Sequence, residues 1–124
     1  MNLDMKILVV DDSSLMRGFA KSSLKQLKLN NVTETEDGVE AMAELKKEKY
    51  DLILSDLYMP NMDGLELLKA VRNDRDLKNI PFIIMTIKEK KGSLIEALEA
   101  GLNDYLIKPV TANALSKKLS KVFT

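Results

Sequence analysis

Five polar side chains in this sequence stand at the ends of short apolar segments, and their types suit the binding of a cation. They are Asp11, Asp12, Asp56, Thr86 and Lys108. Three carboxylates brought together repel one another, and either an added proton or a bound cation relieves that repulsion. An all-oxygen set without His or Cys favours a hard ion such as Mg²⁺, which keeps several of its waters. Lys108 would add an opposite charge and Thr86 a hydroxyl donor.

Each of these residues also has an ordinary structural explanation. An Asp after a strand is commonly the cap of the next helix, a Thr can simply end a strand, and a Lys can be a solvated charge. The set as a whole favours function, because five such residues fall at segment ends that are spread over most of the chain.

The composition indicates one domain and excludes several classes of chemistry. The chain has 124 residues, a usual length for one domain with an apolar core. Cys, His and Trp are absent, which excludes disulfides, Cys/His zinc sites and catalytic triads that need an imidazole. With 19 basic and 19 acidic residues the formal net charge is zero. The composition therefore does not indicate the overall basic surface that is typical of nucleic-acid binding.

The apolar segments are too short for a membrane span. Ile7–Val10 and Phe82–Met85 are among the longest apolar runs, whereas a spanning helix needs about 18 or more such residues. The first residues are polar and do not resemble a signal peptide. We therefore expect a soluble cytoplasmic protein in which residues 1–124 form a single domain without an effector domain.

Short apolar runs alternate with helical spacing along the chain. Continuous apolar runs predict strands that are covered on both faces at Ile7–Val10, Leu52–Leu54, Phe82–Met85 and Tyr105–Ile107. Val32–Glu36 alternates with polar residues, which is typical of an edge strand.

Five helices are predicted between and after these strands, because apolar residues recur there at helical spacing. Their apolar stripes are Met16, Ala20, Leu24 and Leu27; Val39, Met42 and Leu45; Leu65, Leu68 and Val71; Ile95, Leu98 and Leu102; and Leu115, Leu119 and Val122. Ser13 or Ser14 can cap the first helix. Arg17 and the lysines that follow it fall on the opposite side of that helix.

Strict alternation of strands and helices predicts an α/β fold with a parallel sheet and helices on both faces. Ligands of such open sheets bind beyond the carboxyl ends of the strands. The fold would therefore gather the five polar residues at one edge.

Four stretches of the sequence carry a family resemblance. They are Val9–Arg17, Glu36–Ala41, Ser55–Leu65 and Lys108–Thr111. On these stretches the sequence resembles the receiver domains of two-component response regulators, most of all single-domain regulators of chemotaxis, over nearly the whole chain. The resemblance implies a doubly wound, five-stranded parallel sheet in the order 2-1-3-4-5 with five helices, the flavodoxin-like receiver fold.

The resemblance also implies an acceptor and a metal site. Asp56 would be the phosphoacceptor, attacking the phosphoryl group of a phosphohistidine donor. Asp12 and Asp56 would hold Mg²⁺ directly, together with the backbone carbonyl of Tyr58, and Asp11 would act through water.

Further residues would bind the phosphoryl group and report its presence. By resemblance, Lys108, Thr86 and the backbone amide of Ile87 would contact the phosphoryl oxygens, and a cis bond to Pro109 would turn the lysine inward. Thr86 would move toward the phosphoryl group, and Tyr105 would turn into the space that it leaves. From its residue type alone, Tyr105 would be a half-buried core aromatic.

The resemblance implies a phosphoprotein that acts in signalling and is not an enzyme. It would only assist its own phosphorylation and dephosphorylation. The donor would be a CheA-like sensor histidine kinase. The protein would be a monomer that, once phosphorylated, binds the flagellar motor switch or another output protein. A phosphatase is a further expected partner. A phosphorelay intermediate or a phosphate sink remains an alternative.

The fourth helix, the last strand and the last helix would form the output surface, in a region rich in lysine. The lysines are Lys88, Lys90, Lys91, Lys117, Lys118 and Lys121. They are either a solvated face or part of a partner-binding surface.

The sequence departs from the family pattern at several positions. Ile87 stands where Ala or Gly is usual, and Val110 where Phe is common. Tyr58 and Lys88 occupy the two positions that tune the lifetime of the acyl phosphate in the family. Phosphorylation kinetics and partner choice are the properties that these departures would change.

Two other classes of protein fit less well. Haloacid-dehalogenase-like phosphatases place a second acid two residues after the nucleophile, where this chain has Ser13 or Ser14. In a flavin-binding electron carrier the loop after the first strand cradles a phosphate, which Asp11 and Asp12 would repel. Aromatic residues make up only 5% of the chain, which leaves few rings to stack on a flavin.

Overall fold

The computed structural model describes residues 2–87 and 91–123. Within them, strands and helices alternate as the sequence predicts. In chain order they are β1 (Ile7–Val10), α1 (Ser14–Gln26), β2 (Val32–Thr35), α2 (Gly38–Lys47), β3 (Leu52–Asp56), α3 (Gly64–Arg72), β4 (Phe82–Thr86), α4 (Lys91–Glu99), β5 (Asp104–Ile107) and α5 (Ala112–Val122). No helix in the described ranges is long and apolar enough to cross a membrane.

The strands form one parallel sheet in the order β2-β1-β3-β4-β5. The predicted order is therefore confirmed, and β2 lies at an edge as its polar pattern predicts. The register aligns the carboxyl ends, since Asp56 lies beside Met85 and Thr86 beside Ile107. The side chains that follow the strands consequently meet at one edge of the sheet.

Two apolar cores cover the two faces of the sheet. Side chains of α2, α3 and α4 pack on one face and those of α1 and α5 on the other. Successive strand residues alternate between these cores, with Leu8 in the first and Ile7 and Val9 in the second. Burial on both faces is why the inner strands are continuously apolar.

The prediction that β5 is covered on both faces is wrong, because this strand lies at the other edge of the sheet. Ile107 is 46% exposed. An edge strand has a sheet neighbour on one side only, so the side chains near its outer edge are less covered.

Side-chain polar groups begin most of the helices. Ser13 caps α1 by accepting a hydrogen bond from the Met16 amide, which decides between the two predicted caps. Asp37, Asp63 and Thr111 cap α2, α3 and α5 in the same way. Each cap satisfies a backbone amide that has no partner within its own helix.

Two predicted apolar stripes are wrong in part. On α4, Ile95 is 55% exposed and Leu98 is 54% exposed, whereas Leu94 and Ala97 are buried. On α2, Val39 is 54% exposed, and the buried residues are Ala41 and Leu45. Both helices carry apolar residues on more than one face, so packing against the sheet and α3, and not spacing alone, selects the buried face.

Candidate functional site

The polar residues at the strand ends lie in one pocket at the carboxyl edge of the sheet. The pocket has a volume of about 490 Å³ and is lined by Asp11, Asp12, Ser13, Met16, Asp56, Tyr58, Thr86, Ile87 and Lys108. The structure therefore brings together all five strand-end residues that the sequence singles out. Tyr58 and Ile87, which enter through the family resemblance, line the same pocket.

Among the residues that the structure describes, three carboxylates in the pocket face one lysine. Asp11, Asp12 and Asp56 each offer an oxygen within 4.8 Å of the others. Asp11 is fully buried and Asp56 nearly so, whereas Asp12 is exposed. The Lys108 Nζ atom lies 2.6 Å from Asp11 Oδ2 and 3.2 Å from Asp56 Oδ1. One positive charge thus stands against three negative ones.

The electrostatics of the pocket favour an additional cation. Burial raises the pKa of Asp56, the charge of Asp11 raises it further, and Lys108 and the Leu57 amide offset these effects only in part. Asp11 Oδ2 is buried, and within the described part of the chain it makes the ion pair with Lys108 but no aligned hydrogen bond. Three clustered carboxylates with incomplete charge compensation fit a hard divalent ion such as Mg²⁺.

The loop after β1 is held at several points. The Asp11 amide donates to the Thr35 carbonyl, and Asp11 Oδ1 accepts a hydrogen bond from the Ser13 amide at 2.9 Å. The Asp11 carbonyl accepts a hydrogen bond from Arg17 Nη1 at 2.7 Å. Arg17 Nε also donates to Glu34 on β2. These contacts hold the backbone that carries both acidic side chains.

A close backbone approach shapes the end of β3. The Asp56 side chain accepts a hydrogen bond from the Leu57 amide, and the Gly64 amide donates to the Leu57 carbonyl. A Cβ atom on Gly64 would collide with the Asp56 carbonyl oxygen. Only glycine therefore allows α3 to begin this close to the acidic residue.

The ends of β4 and β5 complete the pocket. The Lys108 amide donates to the Thr86 carbonyl at 2.7 Å, which continues the pairing of the two strands. The predicted cis bond between Lys108 and Pro109 is confirmed. Ile87 lies at the pocket rim and is 69% exposed, whereas Val110 is buried in the core shared by α1 and α5. Of these two departures from the family pattern, only Ile87 lies where it can contact a molecule that enters the pocket.

Tyr105 lies outside the pocket lining, partly buried against the core beside α4. The Lys118 Nζ atom lies 5.1 Å from the centre of its ring and donates to Asp104 Oδ1 at 2.9 Å. Lys121 Nζ lies 3.7 Å from the other oxygen of that carboxylate. Sequence reasoning missed Asp104, although an acidic residue at the start of an otherwise apolar strand is an unusual feature.

The predicted lysine surface is thus partly neutralised. Lys118 and Lys121 are ion-paired, and Lys117 is exposed. The side chains of Lys88, Lys90 and Lys91 lie outside the described residues, so the predicted tuning role of Lys88 stays a prediction. Tyr58, the other residue with a predicted tuning role, is half-exposed at the pocket, and its hydroxyl lies 3.2 Å from Ser93 Oγ.

Sequence reasoning placed Arg17 on the solvent side of α1, and this is wrong. Its side chain is only 13% exposed and lies between α1, the end of β1 and β2. Sequence reasoning also did not predict the contact between Asp37 and Asn61. A hydrogen bond joins these two side chains beside the β3–α3 loop. No local pattern marks such contacts, because the partners are distant in sequence.

Comparison with known proteins agrees with this geometry. The family described as response regulator receiver domain matches residues 7–120. The chain is 45% identical over 123 residues to chemotaxis protein CheY-3 of Vibrio cholerae, with 99% of this chain and 95% of that protein covered. It is 43% identical over 119 residues to chemotaxis protein CheY of Pseudomonas aeruginosa, with 96% of each covered.

Solved structures show the same fold. The chemotaxis response regulator CheY4 of Vibrio cholerae gives a TM-score of 0.87 at 33% identity, with 97% of this chain and 99% of that chain covered. The bacteriophytochrome response regulator RtBRR gives a TM-score of 0.87 at 27% identity, with 98% and 79% covered. The family match, the curated relatives and the acidic pocket lead to one conclusion: this chain belongs to the response regulator receiver domain family.

Proposed function

We propose that this chain is a chemotaxis-type response regulator that accepts a phosphoryl group on Asp56 with the help of Mg²⁺ and signals by binding a partner protein. The observation that carries the proposal is the Asp56 carboxylate, which is nearly buried in the pocket, beside two further carboxylates and 3.2 Å from Lys108 Nζ. Similarity to CheY-type proteins over nearly their full length supports the chemotaxis assignment.

In the proposed reaction an oxygen of Asp56 attacks the phosphorus atom of a phosphohistidine. The new O–P bond forms as the N–P bond of the donor breaks, and the donor imidazole leaves. The hydrogen bond from the Leu57 amide and the ion pair with Lys108 both use Oδ1. We therefore expect Oδ2, which makes neither of these contacts, to be the attacking oxygen.

The remaining pocket residues position the group that is transferred. Lys108 and Thr86 bind phosphoryl oxygens, with the backbone amide of Ile87 as a further donor. Mg²⁺, which Asp12, Asp56 and the Tyr58 carbonyl would hold directly and Asp11 through water, would supply positive charge that offsets the phosphoryl oxygens. Positioning and charge neutralisation are the main requirements of phosphoryl transfer to a carboxylate.

The proposed output surface is formed by α4, β5 and α5. Ile95 and Ile107 are exposed there, and Lys117 adds a positive charge. Phosphorylation would reach this surface through Thr86 and Tyr105, which lie on the neighbouring strands β4 and β5. Such a surface suits a partner segment that combines apolar and acidic residues.

The proposed donor is a CheA-like sensor histidine kinase, and the proposed output partner is a flagellar motor switch protein. A phosphatase would reset the signal. We propose these partners because the chain is similar to CheY-type proteins over nearly its full length. For the same reason we propose that the chain is a single receiver domain and that it is located in the cytoplasm.

Phosphorylation can be tested with acetyl phosphate as a small donor. Intact-mass spectrometry should detect one acid-stable, base-labile phosphoryl group on the wild type in the presence of Mg²⁺, and none on Asp56→Asn. The exposed Asp76→Asn is a matched control that should behave as the wild type. Phosphorylation of Asp56→Asn at the wild-type level would refute the assignment.

Output can be tested with the phosphoryl analogue BeF₃⁻. A purified flagellar motor switch protein from the same genome should bind the wild type more tightly when BeF₃⁻ and Mg²⁺ are present. Ile95→Asp should weaken that binding without affecting phosphorylation. Equal binding with and without BeF₃⁻ would argue against motor output and in favour of a phosphorelay or phosphate-sink role.

A further inference from the structure

Asp37 makes two side-chain contacts with different partners. It is only 8% exposed. One carboxylate oxygen, Oδ1, caps α2 by accepting from the Glu40 amide at 2.9 Å. The other, Oδ2, accepts a hydrogen bond from Asn61 Nδ2 at 2.8 Å. The first contact begins a helix, and the second reaches the loop between β3 and α3.

Asn61 adopts a backbone conformation that favours glycine. Its φ is 66°, in the left-handed region that most side chains disfavour and Asn tolerates better than most. Glycine would relax this backbone, but it would also remove the hydrogen bond to Asp37. The Asn61 side chain therefore adds a contact to Asp37 that a glycine could not make.

A second contact joins the same two segments. The Gly38 amide donates to the Met62 carbonyl at 3.0 Å. A Cβ atom on Gly38 would lie 2.5 Å from Met62 Cγ, so the two backbones approach as closely as a glycine permits. The first turn of α2 thus lies directly against residues 61–62.

The loop held in this way includes Tyr58, whose carbonyl is the proposed backbone ligand of the metal. The loop is closed at its ends by the hydrogen bond from the Gly64 amide to the Leu57 carbonyl. The contact from Asp37 to Asn61 restrains the middle of the loop. A carbonyl on a restrained loop is already oriented when the cation arrives.

We propose that Asp37 and Asn61 are positioning residues of the metal site, which hold the β3–α3 loop so that the Tyr58 carbonyl faces the three carboxylates. This inference rests on the proposed function, because it requires that Mg²⁺ binds in the pocket. Neither residue touches the metal. Their effect is on the orientation of the loop that supplies one ligand.

The test measures Mg²⁺ affinity by isothermal titration calorimetry and the Tm of the metal-free protein. Asn61→Gly relieves the positive φ and removes the donor, so the metal-free Tm should stay the same or rise. The Mg²⁺ Kd should weaken about tenfold, the lower end of what loss of an outer-shell partner costs a metal site. A residue with a merely structural role would not separate these two measurements in this way.

Asp37→Ser tests the other side of the contact. Serine keeps a helix cap but cannot serve Asn61 as well, so the Mg²⁺ Kd should weaken by a similar factor. The double variant Asp37→Ser, Asn61→Gly should bind Mg²⁺ no more weakly than the single variants, because both remove one shared contact. Additive weakening in the double variant would contradict the proposal.

Lys28→Gly is the matched control. Lys28 is the other described non-glycine residue with a positive φ, 64°, and it follows the end of α1, at the opposite edge of the sheet from the pocket. This variant should raise the Tm and leave the Mg²⁺ Kd unchanged. Wild-type Kd values in Asn61→Gly would overturn the positioning role and leave the proposed function intact. Absence of Mg²⁺ binding in the wild type would overturn both.

Discussion

Lys108 Nζ lies 2.6 Å from Asp11 Oδ2 and thereby joins the carboxyl ends of β5 and β1, two strands that are separated in the sheet by β3 and β4. Both side chains are nearly inaccessible to solvent, with exposures of 5% and 0%. Removing one partner of an ion pair this deeply buried leaves an uncompensated charge, which is strongly destabilising. Lys108 therefore determines both the stability of the metal-free protein and the affinity of the pocket for a cation.

Removal of Lys108 should destabilise the metal-free protein. Lys108→Met leaves the buried Asp11 carboxylate without its positive partner, which we expect to cost about 3 kcal/mol of unfolding free energy. Saturating Mg²⁺ should restore part of this loss, because the ion supplies positive charge to the same carboxylates. Urea denaturation with and without Mg²⁺ measures both effects. Lys46→Met is the control. It removes the ion pair between Lys46, whose side chain is 62% exposed, and Asp74, and it should change the free energy of unfolding by less than about 1 kcal/mol.

Replacement of the proposed acceptor should stabilise the metal-free fold. Burial and the charge of Asp11 raise the pKa of Asp56 above its usual value. A carboxyl group with a raised folded-state pKa costs stability when ionised, and this cost disappears as the pH falls through that pKa. Asp56→Asn should therefore raise the Tm at pH 7 by a few degrees, allowing for solvent screening.

The difference in Tm between Asp56→Asn and the wild type should shrink as the pH is lowered toward about 4, near the usual pKa of an Asp. Thermal denaturation between these pH values, without divalent ions, provides the measurement. A lower Tm for Asp56→Asn at pH 7 would show that Lys108 compensates the carboxylates fully.

Asp104 should make the fold sensitive to acid. Its burial raises the pKa, but the hydrogen bonds from Lys118 and the Tyr105 amide and the charges of both lysines outweigh burial, so the net pKa is lowered. A lowered folded-state pKa gives stability above the unfolded value, near about 4, which is lost as the pH falls through the folded pKa. Asp104→Asn should cost about 0.5–1 kcal/mol at pH 7, after allowance for solvent screening.

The cost of Asp104→Asn should become small near pH 3 and in a Lys118→Met background, where the partner is absent. Urea denaturation of the four variants of this cycle at both pH values tests the pairing. A cost that is independent of pH and of Lys118 would assign the effect to packing instead.

Two glycines should respond oppositely to alanine. Gly64→Ala would force a Cβ atom against the Asp56 carbonyl, and we expect a loss of about 1–3 kcal/mol together with slower phosphorylation from acetyl phosphate. Gly18 lies within α1, and apart from its chain neighbours and the backbone of its own helix no described atom lies within 4 Å of a Cβ position there. Gly18→Ala should therefore stabilise the fold by up to about 1 kcal/mol and leave phosphorylation unchanged. A neutral Gly64→Ala would mean that α3 can move away from the acidic loop.

The local pattern of the sequence was sufficient for the element order and for the polar edge strand at Val32, and it narrowed the cap of α1 to Ser13 or Ser14. It was also sufficient to select the strand-end residues that form the pocket. Strand and helix periodicity and capping are local properties, and the carboxyl ends of parallel strands necessarily meet at one edge. Residue types at these ends therefore indicate a site before any tertiary contact is known.

The tertiary structure alone decided which contacts the remaining polar residues make. Ile95 and Leu98 have the same spacing as a buried stripe, yet the rotation of α4 buries Leu94 and Ala97 in their place. Arg17 reaches the Asp11 carbonyl, and Asp37 reaches Asn61, because α1 and α2 pack against loops that are distant in the sequence. Helix rotation and side-chain reach depend on the summed packing of the whole core, and a local pattern of hydrophobic and polar residues does not contain that information.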